Sequence, residues 1–252
     1  TVTADKQSKV YGETDPELTW SVEGLQRGDE KSVLTVSVSR AAGEDVGHYT
    51  ITPSGEAVQG NYDVEYKTGD FEITKAKVTV TADKQSKVYG ETDPELTWSV
   101  EGLQRGDEKS VLTVSVSRAA GEDVGHYTIT PSGEAVQGNY DVEYKTGDFE
   151  ITKATATVTA DKQSKVYGET DPELTWSVEG LQRGDEKSVL TVSVSRAAGE
   201  DVGHYTITPS GEAVQGNYDV EYKTGDFEIT KAKVTVTADK QSKVYGETDP
   251  EL

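Results

Sequence analysis

The sequence contains neither cysteine nor methionine, and only three of its 252 residues are histidine. Without cysteine the chain can form no disulfide, no thiolate metal site and no cysteine nucleophile. It also contains no run of 18 apolar residues and no signal peptide, so we expect no direct insertion into a membrane. If the protein is displayed at a surface, its export signal and anchor are expected outside this segment.

The charge of the chain has one predominant sign. Acidic residues outnumber basic ones by 46 to 25, which gives a formal net charge of −21. The acidic residues are spread along the chain and are not collected in a tail. A surface of this sign repels phosphate groups, so neither nucleic acid nor an anionic membrane is an expected partner.

The most informative feature that is present is a long internal repeat with a constant period. The segment TADKQSKVYGETDPEL begins at Thr3, Thr81, Thr159 and Thr237. The two positions that vary between copies hold Lys77, Thr155 and Lys233, and Val78, Ala156 and Val234. Such identity implies that any property of one repeat recurs at regular intervals along the chain.

The repeat length sets the domain organisation, because domains of about 55–65 residues already fold alone. We predict repeat domains at residues 1–76, 77–154 and 155–232, followed by the incomplete start of a fourth repeat at 233–252. In that last segment Val236, Val244 and Tyr245 have no core of their own to enter. Either the chain continues as a longer array, or the first segment of each repeat completes the repeat before it.

Apolar and polar residues alternate along short segments such as 18–22, 34–38 and 62–66, which is typical of β-strands. Turn-forming residues separate these segments. The pattern predicts about five to seven strands per repeat in a small all-β domain, either a sandwich or a β-grasp-like sheet, with a short helix or turn allowed at 29–34. Trp20 is expected to be the main core residue, with Tyr49, Tyr62 and Tyr66 beside it.

The junction between repeats shows a change in the apolar pattern. Phe71 and Ile73 occupy odd positions, whereas Val78 and Val80 occupy even ones. A change of parity moves the buried side chains to the opposite face of a strand. We therefore predict that an extended strand leaves one repeat and enters the next directly, without a flexible Gly/Ser linker. The tandem array is then expected to be an elongated rod in which each repeat adds at least ~30 Å.

The segment YGETDP, which begins at Tyr11 and recurs at Tyr89, Tyr167 and Tyr245, carries a family resemblance. Together with the segments GLQRGD, SRAAGEDVGHYTI and NYDVEYKTGDFEITKA, it resembles the MBG-type tandem repeats of bacterial surface adhesins. The resemblance covers essentially every residue of each complete repeat. It implies a secreted, β-rich protein at the bacterial cell surface, with such units strung in series. It implies no particular ligand for a unit.

An Arg-Gly-Asp turn is the most distinctive candidate binding site of each repeat. The three copies are Arg27-Gly28-Asp29, Arg105-Gly106-Asp107 and Arg183-Gly184-Asp185. An exposed turn of this kind can offer its arginine to an acidic pocket and its carboxylate to an integrin-bound metal ion, and repetition would add avidity. The alternative is an ordinary Gly-Asp turn with a solvated arginine.

The acidic residues Glu13, Asp15 and Glu17 lie within one predicted turn and are candidate calcium ligands, because calcium prefers several carboxylate and carbonyl oxygens. The alternative is a solvated acidic loop, since one such loop seldom supplies six ligands. No other cofactor is predicted. His48 is expected at the surface, and Asn61 is expected to be a turn residue rather than a partner in an isopeptide bond.

No Ser-His-Asp arrangement, phosphate-binding loop or paired-carboxylate cleft is recognisable, so an enzyme is not predicted. The leading hypothesis is the structural stalk or spacer of a bacterial cell-surface adhesin or extracellular fibre, which projects a distal binding region and contacts chiefly the neighbouring repeats of its own chain. The alternative is a multivalent adhesive repeat that binds a host surface protein, such as an integrin, or a glycan.

Overall fold

A computed structural model describes residues 1–251, which form short β-strands and three 3-10 helices. The strands of the first repeat are β1 (Val2–Ala4), β2 (Gln7–Val10), β3 (Trp20–Val22), β4 (Ser37–Arg40), β5 (Gly47–Ser54), β6 (Val58–Gln59), β7 (Tyr62–Asp63), β8 (Tyr66–Lys67) and β9 (Gly69–Thr74). The 3-10 helices are Lys31–Val33, Lys109–Val111 and Lys187–Val189, and the first of them lies inside the segment for which the sequence allows a short helix or turn.

The strands of the second and third repeats follow the same order. Those of the second are β10 (Ala76–Ala82), β11 (Gln85–Val88), β12 (Trp98–Glu101), β13 (Ser115–Arg118), β14 (Gly125–Ser132), β15 (Val136–Gln137), β16 (Tyr140–Lys145) and β17 (Gly147–Thr152). Those of the third are β18 (Ala154–Ala160), β19 (Gln163–Val166), β20 (Trp176–Glu179), β21 (Ser193–Arg196), β22 (Gly203–Ser210), β23 (Val214–Gln215), β24 (Tyr218–Lys223) and β25 (Gly225–Thr230). Each of these two repeats has eight strands, one more than the upper limit predicted, and one strand in each (β15 or β23) has only two residues.

The chain divides into two compact units. The first comprises residues 1–87 and 92–151 and contains almost all of the first two repeats. The second comprises residues 88–91 and the chain from Thr152 onward, and it contains the third repeat.

Each repeat is a β-sandwich, so the predicted all-β tandem architecture is confirmed and the sandwich is the form observed. In the third repeat one sheet has the order β20-β18-β24-β23 and the other has β19-β25-β22-β21. The second repeat has the orders β12-β10-β16-β15 and β11-β17-β14-β13. The first repeat has β2-β9-β5-β4 opposite β3-β1-β8, with β6 and β7 forming a separate hairpin. In the third repeat β18 pairs with β24 in parallel and the edge strand β19 pairs with β25 in parallel, whereas the other pairs are antiparallel.

The predicted change of parity at the repeat junction is visible in the buried side chains. Phe71 and Ile73 on β9 are at most 1% exposed, and Val78 and Val80 on β10 are at most 2% exposed. A single residue, Lys75, separates the two strands. The chain therefore passes directly from a sheet of the first repeat into a sheet of the second.

The prediction that Trp20 is the main core residue is wrong. Trp20 lies on the edge strand β3 and is half-buried, with the Lys31 ammonium 5.2 Å from its ring centroid. The fully buried side chains of the first repeat include Ile51 and Phe71. Tyr49, Tyr62 and Tyr66 are also only half-buried, but Tyr140 and Tyr218, the counterparts of Tyr62, are 2% exposed and lie in the core as predicted for this position.

The first strand of each repeat pairs within its own repeat, β10 with β16 and β18 with β24. The hypothesis that this segment completes the preceding repeat is therefore wrong. Residues 231–251 form no strand, and Val234 and Val236 are 81% and 91% exposed, whereas their counterparts Val78 and Val80 are buried. Among the described residues, no helix has the length and apolar character that crossing a membrane requires.

Candidate functional site

The Arg-Gly-Asp turns have an unusual backbone. The Asp29 amide donates to the Gln26 carbonyl at 3.0 Å, which closes the turn. Both central residues lie in the left-handed region, with φ of 61° at Arg27 and 82° at Gly28, as in a type I′ turn. A residue with a Cβ is strained there by about 1–3 kcal/mol. Because Arg105 and Arg183 share this conformation, surrounding contacts must hold it in every repeat.

A tyrosine hydroxyl supplies one of these contacts. Tyr62 donates to the Asp29 carboxylate at 2.6 Å, and its oxygen accepts from the Gln26 amide at 3.1 Å. Tyr140 binds Asp107 in the same way at 2.6 Å, and Tyr218 binds Asp185 at 2.6 Å. The carboxylate of each turn is thus tied to the strand that carries the tyrosine and is not simply solvated.

In the first unit the second turn is also held by the preceding repeat. The Tyr11 hydroxyl donates to Asp107 at 3.0 Å, on the same carboxylate oxygen that accepts from Tyr140. The rings of Tyr11 and Tyr140 lie edge to face with centroids 5.5 Å apart, a favoured aromatic geometry. Both tyrosines are buried. Burial is the larger cause and the Asp107 hydrogen bond the second cause that raise the pKa of Tyr140 to about 12. The hydroxyl of Tyr140 therefore remains a donor throughout the physiological pH range.

Asn139 forms a second connection between these repeats. Its side-chain oxygen accepts from the Val46 amide at 2.9 Å, and its side-chain nitrogen donates to Asp45 at 3.0 Å. Its carbonyl accepts from the Ala76 amide at 3.0 Å. The counterpart Asn61 is exposed, as expected for a turn residue, but no feature of the sequence indicates this contact between repeats.

A third connection joins Arg105 to Glu44 across 3.3 Å. The backbones also approach closely, because a Cβ added to Gly12 would lie 2.6 Å from the Gln104 Cβ. Gly12 has φ of 91°, so both its conformation and its surroundings require glycine. We call the whole set the inter-repeat joint: Tyr11, Gly12, Glu44, Asp45 and Val46 of the first repeat with Gln104, Arg105, Asp107, Asn139 and Tyr140 of the second.

The second unit contains the same tyrosine arrangement. Tyr89 donates to Asp185 at 3.1 Å, and its ring lies edge to face with Tyr218 at 5.5 Å. Tyr89 is 6% exposed, whereas Tyr167, the next copy of this tyrosine, is 52% exposed. Burial of this tyrosine therefore follows from the presence of an Arg-Gly-Asp turn from another repeat, and the local sequence alone does not produce it.

A cluster of four charges lies beside the joint. The Lys9 side chain is 3% exposed, and its ammonium lies 2.7 Å from Asp15 and 2.5 Å from Glu44. Two nitrogens of Arg40 donate hydrogen bonds to the Asp15 carboxylate, at 2.5 and 3.0 Å. The Arg40 guanidinium also lies 4.9 Å from the Phe71 ring centroid. Since Glu44 also binds Arg105, the cluster connects the interior of one repeat to the turn of the next.

The candidate calcium ligands are not brought together. Both oxygens of Asp15 face cations, and the Arg40 hydrogen bond is the main reason why the pKa of Asp15 falls to about 2. Glu13 accepts from the Val10 amide at 2.9 Å, while the Glu17 carbonyl accepts from the Gln7 side chain at 2.6 Å. Within residues 1–251 no group of three or more His, Asp or Glu residues is arranged to hold a metal ion.

The surface histidine and the aromatic residues form no comparable site. The His48 side chain is 64% exposed, and its Nδ1 lies 3.0 Å from Asp70 on the neighbouring strand. Trp20 interacts with Lys31 as described above. The inter-repeat joint is therefore the site in which most of the distinctive residues of the repeat take part.

The array of β-sandwiches belongs to a known class of tandem-repeat domain. The chain is a member of the MBG domain family (YGX type), whose model matches residues 1–72, 78–150 and 156–228. The resemblance expected from the YGETDP segments is thus confirmed. Among curated protein sequences, none matches this chain.

Several solved structures of multidomain β-proteins show a distant likeness. Immunoglobulin domains 1–4 of Sidekick-1 are 12% identical at a TM-score of 0.21, with 74% of this chain and 58% of that chain covered. The three N-terminal domains of the outer capsid protein Hoc of bacteriophage RB49 are 13% identical at 0.24, covering 86% and 93%. The four N-terminal Ig domains of Dscam1 are 10% identical at 0.25, covering 74% and 55%. Likenesses at these scores carry no argument about function.

Proposed function

We propose that this chain is part of the structural stalk or spacer of a bacterial cell-surface adhesin or extracellular fibre, which projects a distal binding region. Membership of the MBG domain family supports an extracellular, adhesin-type module. The inter-repeat joint is the observation that carries the proposal. Two repeats separated by one residue and connected by side chains hold a defined mutual orientation, which a Gly/Ser linker would not do.

The use of the Arg-Gly-Asp turn in the joint supports the spacer over a receptor-binding array. Asp107 accepts hydrogen bonds from two tyrosine hydroxyls, and Arg105 forms an ion pair with Glu44 of the preceding repeat. Both charged groups that a receptor would need are therefore engaged by the chain itself. We also propose that the chain is not an enzyme, because its polar clusters hold turns and sheets together.

The spacer proposal is tested by the distribution of distances between two adjacent repeats. Because the chain has no cysteine, Ser54→Cys with Ser132→Cys would place one spin label on the same exposed position of each repeat. Pulsed electron paramagnetic resonance should give a narrow distribution, and Asp107→Ala should broaden it. Asp29→Ala is the matched control, since Asp29 contacts Tyr62 of its own repeat. A broad distribution in the parent chain would refute the spacer.

A multivalent adhesive array is the second candidate, and one observation favours it. Arg27 and Asp29 are exposed, unlike Asp107 and Asp185, which are half-buried. Labelled protein should be tested on integrin-bearing cells and on a glycan array, with Asp29→Glu, Asp107→Glu and Asp185→Glu made singly and together. Binding lost with Asp29→Glu alone would place a receptor on the exposed turn. Binding that survives the triple change would point to another face of the repeat.

A further inference from the structure

The two ends of each repeat are paired in parallel. In the third repeat β18 pairs with β24, from Ala154 opposite Tyr218 to Thr159 opposite Lys223. Next along the chain β19 pairs with β25, from Gln163 opposite Phe227 to Val166 opposite Thr230. The two partners of every pair have the same separation in sequence, so the two ladders share one register although they belong to different sheets.

Backbone hydrogen bonds extend this ladder at both ends. The Ala154 amide donates to the Asn217 carbonyl at 3.0 Å, and the Tyr167 amide donates to the Thr230 carbonyl at 2.8 Å. The first segment of the repeat, 154–167, therefore runs beside its last segment, 217–230, in the same direction. We call these two segments the paired ends.

The same arrangement occurs in the first unit. In the second repeat β10 pairs with β16 in parallel, from Ala76 opposite Tyr140 onward. In the first repeat β2 pairs with β9 in parallel, and the Tyr11 amide donates to the Thr74 carbonyl at 2.8 Å. The sequence separation between partners is the same in both repeats as in the third.

Tension along the chain acts directly on the paired ends. One residue, Lys153, separates β17 from β18, so force enters the third repeat at the first residue of its first segment. It leaves at the last residue of the last segment. Two parallel strands pulled in this way are drawn in opposite directions along their length, so their hydrogen bonds are loaded together. An antiparallel hairpin pulled at its open end breaks its bonds one after another.

We propose that the paired ends form a shear clamp, which makes each repeat a force-resisting element of the chain. This inference rests on the proposed spacer function, because a tether under tension is where such a clamp would operate. The packing beneath the ladder supports it. Ala156, Val158, Phe227 and Ile229 are at most 1% exposed, so water has little access from the core side to replace a stretched hydrogen bond.

Single-molecule force spectroscopy of the whole chain tests the clamp. The chain would be pulled through handles at its two termini, and separately through Ser193→Cys with Ser210→Cys, which are opposite residues at the open end of the β21–β22 hairpin. We expect a rupture force several-fold higher for terminal pulling, with each rupture releasing up to roughly 270 Å of chain. Equal or lower force in the terminal geometry would overturn the clamp.

Two proline variants localise the resistance. Ala154→Pro removes the amide that donates to Asn217 in the ladder, and Ala197→Pro removes the amide that donates to Thr206 at 2.9 Å in the hairpin. We expect Ala154→Pro to lower the rupture force of one repeat in three and Ala197→Pro to leave all three unchanged. Equal losses in both would contradict the proposal. If Ala154→Pro prevents folding of its repeat, the comparison of rupture forces between terminal pulling and hairpin pulling still tests the clamp.

The clamp and the spacer can fail separately. Low rupture force together with a narrow distance distribution between repeats would overturn the clamp and leave the spacer standing. A high rupture force with a broad distribution of distances between repeats would refute the spacer. The clamp within each repeat would then stand, with flexible connections between repeats.

Discussion

At the scale of single residues, the Tyr11 hydroxyl illustrates a contact that depends on a neighbouring repeat. Tyr11→Phe removes the donor to Asp107 and leaves the ring in place. We expect the free energy of unfolding to fall by about 1 kcal/mol, the usual net value of one hydrogen bond. Urea denaturation measures this change. Tyr167→Phe is the control, because the exposed Tyr167 should tolerate the change without loss. Equal losses in both variants would contradict the role assigned to the joint.

The charge cluster predicts how stability depends on pH. The pKa of Asp15 is lowered to about 2, chiefly by the Arg40 hydrogen bond, and Asp93 and Asp171 behave alike. A carboxyl whose pKa is depressed by folding stabilises the native state above its unfolded pKa, and this stabilisation is lost as pH falls towards the folded value. The urea midpoint should therefore decrease between about pH 4 and pH 2.

The triple variant Asp15→Asn, Asp93→Asn and Asp171→Asn serves as the comparison. It should be less stable at neutral pH, because each buried lysine loses one of its two carboxylate partners. Its midpoint should also change less between pH 4 and pH 2. A parent chain and variant with the same pH dependence would show that these carboxyls are not responsible.

Residue-level chemistry is only partly predictable from sequence. The Arg-Gly-Asp segment is recognisable as a turn, and His48 is expected at the surface, where it lies. The joint is not predicted because Tyr11 and Asp107 are 96 residues apart and belong to different copies of the repeat. In an array of identical repeats, the sequence does not distinguish a contact within one copy from a contact with the next.

At the scale of strands, alternation predicts which faces are buried but not where each strand lies in a sheet. The parity change between Ile73 and Val78 correctly indicates that one strand leads directly into the next. The same alternation places Trp20 in the core, although β3 is an edge strand. Edge and central positions depend on pairing between distant segments, which local periodicity does not encode.

The one variable buried position predicts a difference in stability between strands β10 and β18. Val78 is 2% exposed and its counterpart Ala156 is 0% exposed, in otherwise nearly identical surroundings. Val78→Ala should lower the free energy of unfolding by about 1–3 kcal/mol, through lost burial and the cavity left behind. Ala156→Val should raise it by a smaller amount. Thermal unfolding of both variants checks the prediction, and a destabilising Ala156→Val would show that β18 is already fully packed.

At the scale of the molecule, the repeat predicts three like units, and the family match and the recurring sheet orders agree with it. The choice between a sandwich and a β-grasp-like sheet could not be made from the sequence. In the structure the partners of both parallel pairs have the same separation in sequence, so the first and last segments of a repeat pass together from one sheet to the other. No local signal marks such a pairing.

One segment of sequence occurs twice, once in paired strands and once without a strand, and this difference gives a test on the whole chain. Residues 231–244 repeat the sequence of 75–88. The earlier copy contributes β10 and β11, whereas the later copy is exposed and forms no strand. Proteolysis requires local unfolding, so brief treatment with trypsin should cut at Lys233, Lys240 and Lys243 well before Lys77. Mass spectrometry would then show a resistant product ending near residue 231. Cleavage at Lys77 at the same rate would mean that pairing with β16 does not protect the first strand, and that the paired ends open far more readily than a clamp allows.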